Sequence, residues 1–451
     1  MYMTQTCLRL PHIPTEVIHE IIDKVPSGDS GFLSTRSNVA LVSRCCRHRI
    51  NFHRFSELEI YIHSMPFDRL KTLAGLLDSN TWRQQEGIAQ HIKSVFLKLG
   101  QRSPGTPLYI QSRDSIIADI LTNLFKGSGS GSSDGTPYSL SIGTSTSFSH
   151  YHKNGPHPMT GLAFDTLGAE TISILHVLSR NRHLTTLRLE AMWNVPSSIF
   201  SALSILNLYI NHVQFAATES LDNSPLLPNL VYLDAKEAHT FVPTCYGPRN
   251  EHARAIRKVR FWLRDEQEYP GLFIIGKYAT TLEIVLHKIL DIPRASVDYV
   301  QSSTLKHLRV LMEYDQYIVS DPTNDEVIPE MPHQLYFLNM LHLLPSDPPP
   351  VLDFEIKVCL LYYHYPATVC EGIYNFYSQV YHPSLVRWLE RRCSSTGTQA
   401  TLTFDIYFNL RLNIDYDPNI FQEECEPYLH NLLSAFNGLD GVKLDLRVSG
   451  G

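Results

Sequence analysis

His183-Leu184-Thr185-Thr186-Leu187-Arg188-Leu189 is the stretch on which the reading of the fold turns. Apolar residues stand at the first, fourth and sixth places of an L-x-x-L-x-L frame, and polar ones between them. Alternation of this kind makes a short strand with one face buried and the other wet. Similar fragments follow: Leu203–Leu208, Leu230–Ala235, Ile256–Phe261, Leu282–Leu286, Leu305–Val310 and Leu335–Met340. Their starts lie about 25 residues apart, within the range of stacked strand-and-crossover repeats. Earlier candidates are Leu58–Ile62 and Ile92–Leu97; later ones are Phe354–Val358, Leu402–Phe408 and Val442–Leu446. No single unit can bury its own apolar face, so such units are expected to stack on a continuous core. The expected fold class is α/β: an irregular repeat solenoid with a curved parallel sheet of short strands. Glu170–Ser179 and Val386–Leu389 read as helical crossovers.

Two stretches interrupt the pattern. Between residues 127 and 149, 14 of 23 residues are Gly or Ser. Too few apolar groups are present there to offset the entropy of ordering, so a flexible insertion is expected, continuing to residue 160. Pro348-Pro349-Pro350 breaks the spacing, and a different α/β domain beyond residue 345 is an alternative to the array.

The first sixty residues have another character. Pro14 suits a first helical position and Glu16 the first turn. Val17, Ile18, Ile21, Ile22 and Val25 share one helical face. Pro26–Gly31 ends that helix. A second is expected from Ser37 or Asn38, with Val39, Leu41, Val42, Cys45, Cys46 and Ile50 on its apolar side. From Arg36 to Arg54 there are five arginines and no acid, which reads as a solvated helix face or as an attraction for an acidic partner.

Composition limits the function. The chain has 451 residues, 43% of them hydrophobic, and a net charge of −7. It can bury a large core, and its balance argues against a dedicated nucleic-acid binder. No run is long enough for a transmembrane helix, and Met1–Cys7 has no signal-peptide form, so a cytoplasmic or nuclear location is expected. The eight cysteines form no C-x-x-C pair, so neither zinc nor a disulfide framework is expected. No P-loop, GxGxxG, GxSxG or HExxH pattern occurs. His150, His152 and His157 are weak metal candidates. The expectation is a chain with no active site, metal or cofactor. Tyr362–Tyr365 and Tyr374–Tyr377 read as core, or as binding hot spots if exposed.

Ile13-Pro14-x-Glu16-Val17-Ile18-x-x-Ile21-Ile22, then Leu41-Val42-Ser43-Arg44-x-Cys46-Arg47, then His53-Arg54-Phe55, feeding a repeat array, resemble the F-box/leucine-rich-repeat proteins, especially the large F-box-like families of fungi. Ile13 stands where that family has leucine, Cys46 where it often has tryptophan, and Asn211 is the one clear match to the asparagine that follows its strands. The resemblance implies an F-box-like helical module over residues 10–56, first irregular repeats over 57–126, the Gly/Ser insertion over 127–160, and a leucine-rich-repeat domain over 161–451. It implies a substrate-recognition subunit of a Skp-cullin-F-box ubiquitin ligase. Ile13, Pro14, Val17, Ile18, Ile21, Leu41, Val42 and Arg44 would dock a Skp-family adaptor and, through it, a cullin; the repeats would hold an unknown protein substrate. The alternative is an interaction scaffold whose F-box-like segment only caps the solenoid.

Overall fold

The computed structural model describes residues 44–62, 64–78, 88–99, 113–125, 137–144, 162–200, 205–216, 227, 229–236, 241, 255–263, 269–286, 304–319, 349–362, 386–387, 389–390, 393, 397, 399–410, 434 and 439–450. The chain is a mixed α/β structure, and the strand pairings described within each unit below are parallel. Contacts divide it into two units, Met1–Tyr151 with Thr166–Leu184, and His152–Asp165 with Thr185–Gly451.

The first unit opens on helix α1 (Arg44–Phe55), which buries Cys46 and Ile50 and leads directly into strand β1 (Glu57–Tyr61). Val39, Leu41 and Val42, expected on the same apolar side as these two, lie outside the described residues. Helix α2 (Phe67–Leu77) starts after Pro66 with Asp68 in its first turn, where the helix dipole favours an acid. Strand β2 (Ser94–Leu99) alternates strictly, with Val95, Leu97 and Leu99 buried. Helix α3 (Asp114–Phe125) buries Ile117, Ile120, Leu121 and Leu124. Strand β3 (Ser139–Thr144) pairs with β2, and β2 with β1. β3 corrects the expectation of a flexible loop through residues 127–149. Its Leu140 and Ile142 alternate into the core, and strand pairing satisfies the backbone that a Ser/Gly-rich composition leaves open. Residues 127–136 and 145–149 of that stretch lie outside the described ones. Helix α4 (Ala169–Ser179), expected from the sequence, packs beside α3.

A carboxylate from α3 joins these last two helices. Asp114 accepts from the backbone N–H groups of Glu170 (2.9 Å) and Thr171 (2.8 Å) and from the Thr171 hydroxyl (2.5 Å). It therefore caps the start of α4, whose own N-cap, Gly168, supplies no side-chain bond. A Cβ at Gly168 would lie 2.0 Å from Asp114 Cγ, so only glycine lets the carboxylate in. The neighbouring Arg113 donates to the carbonyls of Met65 (2.8 Å) and Ile62 in the turn after β1. Asn181 Nδ2 donates to the Phe125 carbonyl at the end of α3 (3.2 Å).

The second unit holds β4 (Leu162–Ala163), β5 (Thr186–Val195), β6 (Asn207–Phe215), β7 (Tyr232–Lys236), β8 (Lys258–Leu263), helix α5 (Tyr269–Gly276), β9 (Thr281–Leu286), β10 (His307–Val319), β11 (Val351–Tyr362), β12 (Gln399–Leu410) and β13 (Val442–Gly450). From β5 to β13 the strands pair in sequence order, β4 adds to β5, and the ladder does not close on itself. The same connection recurs between strands. The Leu206 carbonyl accepts from Val231 (2.8 Å) and Tyr232 (2.9 Å), and the Val231 carbonyl from Arg257 (2.9 Å) and Lys258 (3.0 Å). The Arg257 carbonyl accepts from Thr280 (2.8 Å) and Thr281 (3.0 Å), and the Thr280 carbonyl from Lys306 (2.8 Å) and His307 (3.1 Å). The first unit uses the same device, with Ser56 accepting from Lys93 and Ser94. One carbonyl thereby fixes the register of each next strand.

The buried frame is Leu184/Leu187/Leu189, Leu230/Leu233/Ala235, Ile256/Val259/Phe261 and Leu305/Leu308/Val310, as expected. At β6 it is Ile205/Leu208/Ile210 instead of Leu203/Leu206/Leu208, and Leu206 is exposed. Asn211 therefore does not occupy the position after the strand. It lies within β6 on the polar face. At β9 the missing first anchor is Ala279, fully buried. The ladder continues past Pro350, because Val351–Val358 pairs residue for residue with His307–Tyr314 and, after one shift, Leu360–Tyr362 pairs with Tyr317–Val319. Strands β10 to β12 have 12 or 13 residues, longer than the short strands expected. The fragment Leu335–Met340 lies outside the described residues.

The core of the second unit includes an aromatic triad. Phe200, from a 3-10 turn at Ser197–Phe200, sits 5.3 Å from the Phe215 ring and 5.9 Å from Phe241; the latter two are 5.5 Å apart. Ala191 of β5 and His212 of β6 have φ 51° and 53°, and β5 bulges just beyond, where Met192–Val195 runs opposite the shorter Val213–Phe215 with Asn194 at φ 55°.

Candidate binding face

From β5 onward, described residues that stand between the buried ones line the opposite, polar face of the ladder. Register aligns them into rows. One row reads Arg188, Tyr209, Asp234, Arg260, Glu283, Arg309, Asp353, Thr401 and Lys443, from β5 to β13. From Asp234 to Asp353 the sign alternates at every strand. Parallel partners in a sheet are about 4.8 Å apart, so like charges here would repel and unlike charges attract.

The side chains use that alternation. Glu283 Oε1 lies 3.6 Å from Arg260 Nε and 3.2 Å from Arg309 Nη1, and Arg309 also pairs with Glu355. His307 Nε2 lies 2.7 Å from Asp353 Oδ2. Burial works against the Arg309 charge, but Glu355 and Glu283 outweigh it and hold its pKa above the ordinary value. These pairs are partly exposed, so each contributes at most about 1 kcal/mol to stability. Their larger consequence is geometric, because they hold long side chains in one arrangement.

An aromatic cluster sits at the β6–β8 part of this face. The Tyr209 and Tyr232 rings are 5.3 Å apart, with the Arg188 guanidinium 4.8 Å from the Tyr209 centroid. Lys236 Nζ and Arg260 Cζ lie 4.6 Å and 4.7 Å from the Trp262 ring, and Trp262 Nε1–H donates to Asp234 Oδ1 at 3.0 Å. Such contacts contribute about 0.5–1 kcal/mol each at exposed sites. Burial pushes the Tyr232 hydroxyl up to about 12, helped by the Asp234 charge, so it stays a neutral hydrogen-bonding group. Two buried atoms on the face, Asn211 Oδ1 and Arg260 Nε, make no hydrogen bond among the described residues, although Asn211 Nδ2 donates to Glu190 (3.0 Å).

Burial raises the Asp234 pKa above its ordinary value, opposed by Arg260 and the Trp262 bond. The folded protein therefore holds this proton more readily than the unfolded chain. Its contribution to stability is greatest at acid pH and falls as pH rises through the carboxylate range. Asp234→Asn keeps an acceptor for Trp262 and removes the charge. Its stability relative to wild type should therefore increase from pH 3.5 to pH 7, read from denaturant midpoints at both values. A relative loss on that rise contradicts this assignment.

Of the residues expected to dock an adaptor, Ile13, Pro14, Val17, Ile18, Ile21, Leu41 and Val42 lie outside the described residues. Arg44 is the first residue of α1. His150, His152, His157 and Tyr363–Tyr365 also lie outside them. Among the described residues no group of three or more His, Cys, Asp or Glu is placed to hold a metal, and no helix is long and apolar enough to cross a membrane. Sequence reasoning missed the polar row. Its signal lay in the residues between the anchors, which alternate in charge from one repeat to the next.

No family model matches the chain, and no curated protein matches it.

Proposed function

We propose that this chain is the substrate-recognition subunit of a Skp-cullin-F-box ubiquitin ligase, acting in the cytoplasm or nucleus. On this reading the parallel ladder is an irregular leucine-rich-repeat solenoid with a curved sheet, and its polar face holds the protein substrate. The observation that carries the reading is the in-register face itself. Its arginines, carboxylates, tyrosines and tryptophan are held by one another, so little side-chain entropy remains to be lost when a partner docks. Arg, Tyr and Trp are also the residues that dominate protein interfaces. The contribution of such a subunit is proximity: a held substrate presents its lysines at high effective concentration to a conjugating enzyme.

A second reading has an observation of its own. α1 buries Cys46 and Ile50 and runs into β1 almost without a break, as a cap on the first strand would. In that case the chain is an interaction scaffold with no ligase attached. Size-exclusion chromatography of the full chain mixed with a Skp-family adaptor separates the two. Co-elution as a 1:1 complex is expected; separate elution at micromolar concentrations sinks the ligase reading.

A further inference from the structure

The ion pairing of the polar face leaves a charge excess at one edge. Where β8, β9 and β10 begin, register places Arg257, Thr280 and Lys306 in one line and Lys258, Thr281 and His307 in the next. Arg257, Lys258 and Lys306 are exposed, and none forms a side-chain ion pair among the described residues. The carboxylates two positions further along these strands are already engaged, Glu283 by Arg260 and Arg309, Asp353 by His307, and Asp234 by the Trp262 indole. The flanking positions are Val231 and Tyr232 before β8, and Pro350 and Val351 after β10, so among the described residues no acid stands at this edge from β7 to β11. Val231 and Val351 are large apolar side chains each 39% exposed. The whole chain carries a net charge of −7, so this local excess of cations stands against the general field.

From these placements we propose that the start of β7–β11 docks an extended acidic segment of a partner protein, with carboxylates over Arg257, Lys258 and Lys306 and an apolar residue at each end. The inference rests on the second unit being a protein-binding face, and not on the ligase assignment. The dimensions agree. Five strands span about 19 Å at 4.8 Å each, which about six extended residues cross. The cations lie spread over an exposed edge and do not converge on one pocket. Such a field suits a row of carboxylates better than one compact dianion. Val231 and Val351 offer the apolar ends a place to leave water.

The test is fluorescence anisotropy of a labelled nine-residue peptide, Gly-Leu-Asp-Glu-Asp-Glu-Asp-Leu-Gly, titrated with the full chain. Saturable binding is expected, weakening between 50 and 200 mM salt as screening requires. The triple variant Arg257→Glu, Lys258→Glu, Lys306→Glu should weaken it by about tenfold or more. Lys443→Glu, an equal charge change per site on the same face, should shift it less than about twofold. If the triple variant does not fold by circular dichroism, Arg257→Gln, Lys258→Gln, Lys306→Gln replaces it, with the same direction expected. The proposal is overturned by no saturable binding, by equal binding of the Asn/Gln version of the peptide, or by equal weakening in Lys443→Glu. Tighter binding of a ten-nucleotide thymidine oligomer also overturns it and assigns the edge to nucleic acid. Adaptor co-elution should be unchanged in the triple variant, so failure here and failure of the ligase reading are told apart.

Discussion

Gly168→Ala should destabilise the first unit by about 2–4 kcal/mol, far more than an alanine usually costs at a helix start. The reason is the Asp114 carboxylate, which occupies the space a Cβ would need, with Cγ 2.0 Å away. Asp114 has too short a side chain to retract while keeping its bonds. Its displacement frees the N–H groups of Glu170 and Thr171 at the start of α4, a loss of about 1–2 kcal/mol, and local overpacking adds about 1–3. Asp114→Ala alone should cost about 1–2 kcal/mol. In that background Gly168→Ala should cost less than about 1 kcal/mol, because the clash is gone. Denaturant unfolding of the four proteins, followed by circular dichroism, gives the coupling. Additive costs contradict the geometry.

Phe200→Ala should destabilise the second unit by about 3–5 kcal/mol. Phe200 is fully buried between Phe215 and Phe241, and its ring joins a 3-10 turn to the end of β6. Truncation removes both ring contacts and leaves a cavity between Phe215 and Phe241. Phe200→Leu, which keeps most of the volume, should cost less than about 2 kcal/mol. Three of the four tryptophans, Trp193, Trp262 and Trp388, belong to this unit and Trp82 to the other, so a guanidinium midpoint read by tryptophan fluorescence in a Trp82→Phe background reports on it. An Ala variant within 1 kcal/mol of wild type contradicts the placement of the triad.

Much of the ladder is legible in the sequence, because period-two burial at repeated spacing has few other solutions. β5, β7, β8 and β10 fall where the L-x-x-L-x-L frame puts them, and β1, β2, β11, β12 and β13 begin close to their fragments. The misreadings have physical causes. Around β6 the run Leu203, Ile205, Leu206, Leu208, Ile210 supports two frames, and only the exposure of Leu206 selects between them. At β9 the anchor is Ala279, too small to stand out as apolar, yet small enough to sit fully buried. β3 is masked by serine and glycine, which pair as well as any backbone once Leu140 and Ile142 hold the strand.

The joint made by Asp114 and Gly168 joins positions 54 residues apart and has no sequence signature. The polar face is intermediate. Glu283 and Arg309 are unremarkable charges in their own repeats, and their pairing emerges only when strand register makes them neighbours. For the face as for the core, the unit of meaning is the same position read across successive strands.

The central proposal is that the segment carrying Ile18 and Val42 docks an adaptor and does not merely close the repeat array. The double variant Ile18→Asp, Val42→Asp decides it when adaptor co-elution and thermal unfolding are measured on the same protein. The account predicts loss of co-elution with the unfolding midpoint unchanged within about 2 °C. Retained co-elution, or loss accompanied by a large fall in the midpoint, contradicts it; the fall would make that segment part of the fold.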